Sequence, residues 1–172
     1  MSICFIPPIL KNSHDFELLC LDLLRRFWTL PSLDLYAKSG EEQNGVDIID
    51  LGGAAPLHAA QCKLKESDKS LSPGEIEAEV EKAKTFELAI GKYAILTTGK
   101  VSGQSQRKIL EINQLHIAQG LFEVELFTWD RIALLLQIYP EIYEQFFGDG
   151  LNPTRAARIE TKMTDLHVVF VN

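Results

Sequence analysis

Apolar residues recur at helical spacing early in the chain. They follow one stripe at i, i+3, i+4, i+7, i+8 and i+11, which comprises Phe16, Leu19, Cys20, Leu23, Leu24 and Phe27. Asn12 or Ser13 can cap the N-terminus of such a helix, and Pro31 lies beyond its end. The pattern therefore predicts an amphipathic first helix that buries one face in a core.

Three short apolar runs follow, and each is typical of a β-strand. They cover residues 33–37, 46–51 and 57–64. Two glycines separate the first pair of runs, and Gly52-Gly53 with Pro56 separates the second pair. Because glycine and proline favour turns, we expect these strands to form an antiparallel meander.

The second half of the chain alternates helix and strand patterns. Ser72 and Glu75 have the spacing of a capping box with Pro73 at the first helical position, so a helix is expected over residues 73–90, ending at Gly91. The remaining expected elements are a strand at 93–98, a helix carrying Ile109, Ile112 and Leu115 to near Gly120, a strand at 122–127, a helix at 129–137 capped by Thr128, and a helix at 140–147 begun by Pro140.

Taken in order, these patterns predict an α/β domain. A helix, a three-stranded meander, and further strands reached through helical crossovers give the order α-β-β-β-α-β-α-β-α. This order is typical of a mixed central sheet flanked by helices on both faces. We assign the domain to residues 1–148. Residues 149–172 form a C-terminal tail, whose apolar run at 166–171 is either an extra strand or the lead into a further domain.

Composition does not favour a nucleic-acid partner. The 172 residues are 46% hydrophobic, which is enough for a sizeable core. Seventeen Lys and Arg residues against 24 Asp and Glu residues give a net charge of −7, which opposes non-specific attraction to phosphates. A nucleic-acid-binding protein with this charge needs a locally basic face, acidic residues that serve as metal ligands, or partner subunits that supply the grip.

Cysteine content and hydropathy favour a reducing compartment. Cys4, Cys20 and Cys62 are odd in number and show no paired spacing, so we expect reduced structural thiols. No apolar stretch approaches the roughly 20 residues of a membrane span, and no basic run precedes the apolar start of the chain. These features predict a soluble, cytoplasmic protein with no membrane partner.

One set of polar residues lies within the predicted meander. Asp47 interrupts an apolar strand, and Gln61 and Lys63 share one face of the next strand while Cys62 points to the other. Mg²⁺ prefers oxygen ligands, and the Asp47 carboxylate, the Gln61 side-chain carbonyl and the Cys62 backbone carbonyl offer three. Lys63 is placed to orient or deprotonate a water that attacks phosphorus. Glu17, beside the apolar stripe of the first helix, is a candidate ligand for the same cluster.

Other residues that could carry chemistry favour structural roles. Cys62 and His58 share a strand face but have no third partner, which indicates a core thiol and not a nucleophile. Trp129 is expected either as a hydrophobic anchor at a helix start or as a platform for a base. The charge run from Glu75 to Lys84 is expected as an exposed helix face. The four histidines have no metal-ligand spacing to one another.

The site residues resemble the Mrr-like branch of the PD-(D/E)xK nuclease superfamily, in which Gln commonly replaces the acidic residue of the second motif. The resemblance covers about residues 13–148 and rests on Glu17, on the segment 38–48 with Gly45-Val46-Asp47-Ile48 at its end, and on Gln61-Cys62-Lys63. The segments 93–98 and 122–130 also resemble nuclease modules of bacterial antiphage effectors.

The resemblance implies a restriction-endonuclease-like fold and a DNA endonuclease that depends on Mg²⁺ or Mn²⁺. It implies Asp47, Gln61 and Lys63 as site residues and Glu17 as an accessory ligand. The expected partners are DNA, a second copy of the chain or a larger homo-oligomer because two scissions need two sites, and a sensor or regulatory component in a restriction or antiphage defence setting. The alternative is a catalytically inactive module of the same fold that docks nucleic acid or protein.

Overall fold

The computed structural model describes residues 6–36 and 44–148. In this part of the chain, helices and strands follow one another in the predicted order. They are α1 (Ser13–Phe27), β1 (Leu33–Leu35), β2 (Ile48–Asp50), β3 (Leu57–Lys63), α2 (Pro73–Lys84), β4 (Ile90–Thr97), α3 (Gly103–Gln119), β5 (Glu123–Phe127), α4 (Trp129–Ile138) and α5 (Pro140–Phe147).

The five strands form one mixed sheet in the order β1-β2-β3-β4-β5. The pairs β1/β2 and β2/β3 are antiparallel, which confirms the predicted meander. The pairs β3/β4 and β4/β5 are parallel. Before each new strand, α2 or α3 carries the chain back to the end of the sheet at which the previous strand began. The central strand, β3, is therefore antiparallel to β2 on one side and parallel to β4 on the other.

Two cores lie on opposite faces of this sheet. Ala60 of β3 and Ala94 of β4 belong to a core with α1, α4 and α5. The preceding residues, Ala59 and Tyr93, belong to a second core with α2 and α3. Successive strand residues point to opposite faces, so consecutive apolar residues such as Ala59-Ala60 and Tyr93-Ala94 bury both sides of the sheet. The predicted α/β class with helices on both faces is confirmed.

Capping residues near in sequence define most of the helix ends. The Asn12 side chain accepts a hydrogen bond from the Asp15 amide at 3.1 Å and caps α1. Ser72 and Glu75 form both bonds of the predicted capping box at the start of α2. Thr128 caps α4, and α3 ends at Gly120 with a φ of 67°, a left-handed conformation that favours glycine.

The predicted helix over 73–90 is too long. Helix α2 ends at Lys84, and Ile90 and Gly91 belong to β4. The carbonyl of Ala89 accepts the Leu57 amide at 2.8 Å as the parallel ladder begins. A Cβ on Gly91 would lie 2.9 Å from a side-chain carbon of Pro56, so this glycine permits close passage of two strands and does not end a helix.

Two predicted core positions are exposed. Leu115 is 60% exposed because the inner stripe of α3 passes through its neighbour, His116, whose ring bonds the Phe122 carbonyl at 2.6 Å. Phe27 is also exposed and packs edge-on against Phe127 at the rim of the α1 core. Trp129 is buried and its indole donates to the Pro7 carbonyl at 3.0 Å, which confirms the predicted hydrophobic anchor.

The predicted tail at 149–172, Cys4 and the end of the first strand at Ala37 lie outside the described residues. Within the described ranges, none of the helices combines the length and the apolar character needed to cross a bilayer.

Candidate functional site

Asp47 is held against β3 at the entrance to β2. Its amide donates to the Ala60 carbonyl at 2.8 Å, and its own carbonyl accepts the Tyr36 amide at 2.7 Å. Its carboxylate Oδ2 accepts the Cys62 amide at 2.7 Å. Backbone and side chain together therefore place the Asp47 carboxylate beside the Gln61-Cys62-Lys63 segment, so the structure brings this predicted site residue to the other three.

The strand places Gln61 and Lys63 on one face and Cys62 on the other, as predicted. Cys62 packs in the α1 core, and burial together with neighbouring Cys20 raises the pKa of its thiol well above the usual range. A protonated core thiol is a poor nucleophile, which supports the structural interpretation. Cys20 and Cys62 are both free cysteines, as expected.

The side-chain oxygen of Gln61 is buried and finds no hydrogen-bond partner among the described residues. An unsatisfied buried acceptor costs about 1–3 kcal/mol, so such groups are uncommon in native structures. A cation bound at this oxygen would supply the missing partner. Because the Gln61 oxygen lacks a partner, the residues of this site fit a bound metal ion.

Lys63 is anchored at the end of β3. Its carbonyl accepts the Thr97 hydroxyl at 2.9 Å and the Thr98 amide at 3.3 Å, which fixes the backbone beneath the side chain. Its ammonium Nζ lies 2.8 Å from Oε1 of Glu79, on α2. The side chain is therefore held on the α2 side of the sheet, above the face that carries Gln61.

Glu79 belongs to the site although the sequence patterns do not assign it there. The charge run from Glu75 to Lys84 is expected as an exposed face, and at Glu79 this prediction is wrong, because the residue is buried. The available signal is its place in the apolar stripe of α2, since Ile76, Glu79, Val80 and Ala83 are the buried residues of that helix. A charged residue at such a position is seldom buried without a partner.

Burial and neighbouring charges raise the pKa of Asp47 to about 6. Desolvation is the largest cause, and the carboxylates of Glu17 and Glu79 act in the same direction. The Cys62 amide and the Lys63 ammonium oppose them, without cancelling the effect on the Asp47 pKa. The carboxylates of Asp47, Glu17 and Glu79 outnumber the ammonium groups of Lys63 and Lys82 near them, which favours binding of a further cation.

Glu17 is the predicted accessory ligand from the first helix. It is half-buried on α1, and its carboxylate is 3.8 Å from Nδ1 of His14. Its charge nevertheless reaches Asp47 and Cys62. Across residues 6–36 and 44–148, no three His, Cys, Asp or Glu side chains group closely enough to form a metal centre by themselves.

The donor set that remains is rich in oxygen. Asp47 offers its carboxylate, Gln61 its unpartnered amide oxygen and Cys62 its backbone carbonyl. A carboxylate has about four acceptor positions, so the bond from the Cys62 amide leaves capacity at Asp47 for a cation. A donor set made only of oxygen atoms suits Mg²⁺ and Mn²⁺, whereas zinc sites are built mainly from nitrogen and sulfur ligands.

Comparison with solved structures places the fold among restriction endonucleases. The MspJI restriction endonuclease, solved in complex with a 27-mer oligonucleotide, matches with a TM-score of 0.51 and 22% identity over 87% of this chain and 32% of that chain. The DNA modification-dependent restriction endonuclease AspBHI matches with a TM-score of 0.50 and 20% identity over 76% of this chain and 32% of that one.

These likenesses confirm the expected restriction-endonuclease-like fold. The chain spans about a third of the length of each of these two structures. No family model and no curated protein matches the sequence. The Mrr-like branch therefore stays a prediction.

Proposed function

We propose that this chain is a metal-dependent endodeoxyribonuclease module. The observation that carries the proposal is the meeting of Asp47, the orphaned oxygen of Gln61 and Lys63 at one place in a restriction-endonuclease-like sheet. Two solved proteins with this fold are restriction endonucleases, and one of them was solved in complex with an oligonucleotide. DNA is accordingly the proposed substrate.

The residues have separate roles in this proposal. Asp47, Gln61 and the Cys62 carbonyl would hold Mg²⁺ or Mn²⁺, with Glu17 as an outer ligand. The bound ion would lower the pKa of a water and stabilise negative charge on the phosphoryl group. Lys63 donates a hydrogen bond to the attacking water or to a phosphate oxygen, and so stabilises charge that develops as phosphorus is attacked.

The acidic composition bears on how DNA is held. A net charge of −7 provides little general attraction for phosphates, so we assign part of the grip to additional subunits or domains. A dimer or larger homo-oligomer would also supply the two sites that cutting both strands requires. We place such an assembly, with a sensor or regulatory component, in restriction or antiphage defence.

A plasmid assay tests the proposal. The purified chain should nick supercoiled DNA in Mg²⁺ or Mn²⁺, and EDTA or the Asp47→Asn substitution should abolish nicking. The Asp50→Asn variant is a matched control, because Asp50 is a buried aspartate three residues after Asp47, at the end of β2, whose oxygen already accepts hydrogen bonds from Ser32 and Gly52. Plasmid left intact with both metals, by protein that still binds duplex DNA, would favour the inactive docking module.

A further inference from the structure

The contact between Lys63 and Glu79 is built into the packing of α2. Glu79 is 8% exposed at its side chain, and its Oε1 lies 2.8 Å from Lys63 Nζ and 3.1 Å from Lys82 Nζ. Two ammonium groups therefore share one buried carboxylate oxygen. Lys82 provides a second positive charge that offsets the cost of burying the carboxylate that holds Lys63.

Gly45 allows α2 to approach close enough for this contact. A Cβ at Gly45 would lie 3.0 Å from the Lys82 Cβ and 3.2 Å from the Glu79 carbonyl, and its φ of 72° already favours glycine. The Gly45 carbonyl also accepts the buried Tyr93 hydroxyl at 2.5 Å. The glycine two residues before Asp47 therefore joins the site strand to the helix that carries Glu79.

We propose that Glu79 is a positioning residue, which fixes the Lys63 ammonium beside Asp47 and Gln61. This inference rests on the proposed nuclease function, because it gives Lys63 a geometry that the reaction needs. A lysine has a long flexible stem and a point charge, so an unheld ammonium samples many positions. A buried carboxylate at hydrogen-bond distance restricts it to one, so that no reorganisation is needed during the reaction itself.

The activity test compares two Glu→Gln substitutions on the same helix. Glu79→Gln removes the charge that holds Lys63, whereas Glu81→Gln removes the partner of Lys84 at 2.6 Å, away from the site. Single-turnover cleavage at saturating DNA should fall about 10- to 100-fold in Glu79→Gln, the usual loss for a group that orients a site residue. DNA affinity should change less than about twofold, and Glu81→Gln should match wild type.

A double-mutant cycle separates positioning from a general effect on the fold. If Glu79 acts through Lys63, adding Glu79→Gln to Lys63→Ala should lower the rate no further. Additive losses would overturn the proposal. So would a Glu79→Gln variant that cuts as fast as wild type, or faster, because the carboxylate would then withdraw Lys63 from the reaction.

Side-chain dynamics provide a test that does not depend on activity. Lys63 and Lys84 are equally exposed at 28% and 29%, but their glutamate partners are 8% and 61% exposed. The ¹³C order parameter of the lysine Cε should therefore be higher for Lys63 in wild-type protein. Glu79→Gln should lower it, and Glu81→Gln should not.

Equal order parameters in wild type would overturn the positioning role, even if the chain cuts DNA. A protein with an ordered Lys63 and no cleavage would instead overturn the proposed function and leave the contact established. The two inferences therefore fail on different measurements.

Discussion

Two lysines on neighbouring strands of the sheet meet carboxylates in different ways. Lys63 of β3 and Lys92 of β4 are equally exposed, at 28% and 29%, and each bonds a glutamate at about the same distance, 2.8 and 3.0 Å. They lie on opposite faces and near opposite ends of the strands. Exposure and ion pairing alone therefore do not distinguish them.

The charges around the two lysines differ. Lys92 and Arg131 pair with Glu123 and Glu125, two cations with two anions, and the bond to Glu125 raises the pKa of Lys92. Arg131 also covers the Phe127 ring at 3.8 Å. This network balances its own charges, as expected of a structural feature at the sheet surface.

Around Lys63 the balance is incomplete. Burial raises the pKa of Asp47, and the carboxylates of Glu17 and Glu79 add to that rise. The Gln61 oxygen has no partner among the described residues. Buried polar or charged groups that lack hydrogen-bond or ion-pair partners lower the stability of the folded state. They are typical of sites that bind a ligand or take part in a reaction. Buried polar groups without partners therefore distinguish the candidate site, whereas an ion pair is present in both regions.

The largest expected effect separates the two lysines directly. Lys63→Ala should lower the single-turnover rate on the order of 10³-fold with little loss of DNA affinity, because a preorganised charge acts mainly on the barrier. Lys63→Arg should not restore the rate, since a planar guanidinium does not replace an ammonium point charge. Lys92→Ala should cleave at the wild-type rate. Equal losses in the two alanine variants would remove the distinction between the regions.

The next effect compares two buried aspartates at β2. Asp47→Asn should weaken Mg²⁺ binding more than about 100-fold by calorimetry, because even residues behind the ligands commonly contribute 10- to 100-fold. Asp50→Asn should bind as wild type, since its carboxylate is used by Ser32 and Gly52. Retained Mg²⁺ affinity in Asp47→Asn would contradict the proposed ligand set.

The same substitution should stabilise the metal-free protein. The pKa of Asp47 is about 6 when folded, against an ordinary value of 3.8, so the folded state binds the proton more tightly. Stability from this group is therefore present below about pH 4 and is lost as the pH rises through 6. At pH 7 Asp47→Asn should raise the free energy of unfolding by about 3 kcal/mol, because a rise of one pKa unit corresponds to about 1.4 kcal/mol.

Urea denaturation with EDTA at pH 7 and pH 5 measures this gain, which should shrink at the lower pH. Asp50→Asn serves as the control, because it removes a buried carboxylate that has hydrogen-bond partners. An Asp47→Asn variant less stable than wild type at pH 7 would show that burial of the ionised Asp47 carboxylate does not destabilise the folded protein.

The smallest effect concerns two side-chain amides, one buried at Gln61 and one partly buried at Asn113. Gln61→Ala should reduce cleavage about 10-fold, and Gln61→Glu should lose less because it keeps an oxygen ligand. Asn113 is the counterpart whose amide is satisfied, with bonds of 2.9 and 2.8 Å to the Val124 backbone. Asn113→Ala should lower thermal stability and leave cleavage by the folded protein intact. Equal nicking losses in both Gln61 variants would argue against coordination.

Features that depend on near neighbours could be predicted from the sequence. The caps at Asn12, Ser72 and Thr128 each satisfy an amide three residues away, so their chemistry is readable from spacing. Strand alternation likewise placed Gln61 and Lys63 together and Cys62 opposite. The order of elements and the meander followed from the same local patterns.

Which of these residues are left without partners depended on tertiary packing. Helix α2 ends at Lys84 and β4 begins at Ile90, where the sequence pattern predicts continued helix. Glu79 is buried because α2 packs on the Lys63 face. Gly45 lets α2 approach the site strand, and its carbonyl accepts a hydrogen bond from Tyr93, 48 residues away in the sequence. The apolar stripe of α2 indicates that Glu79 is buried, but Lys63, which pairs with it, comes from another element of the fold, and no local pattern identifies that contact.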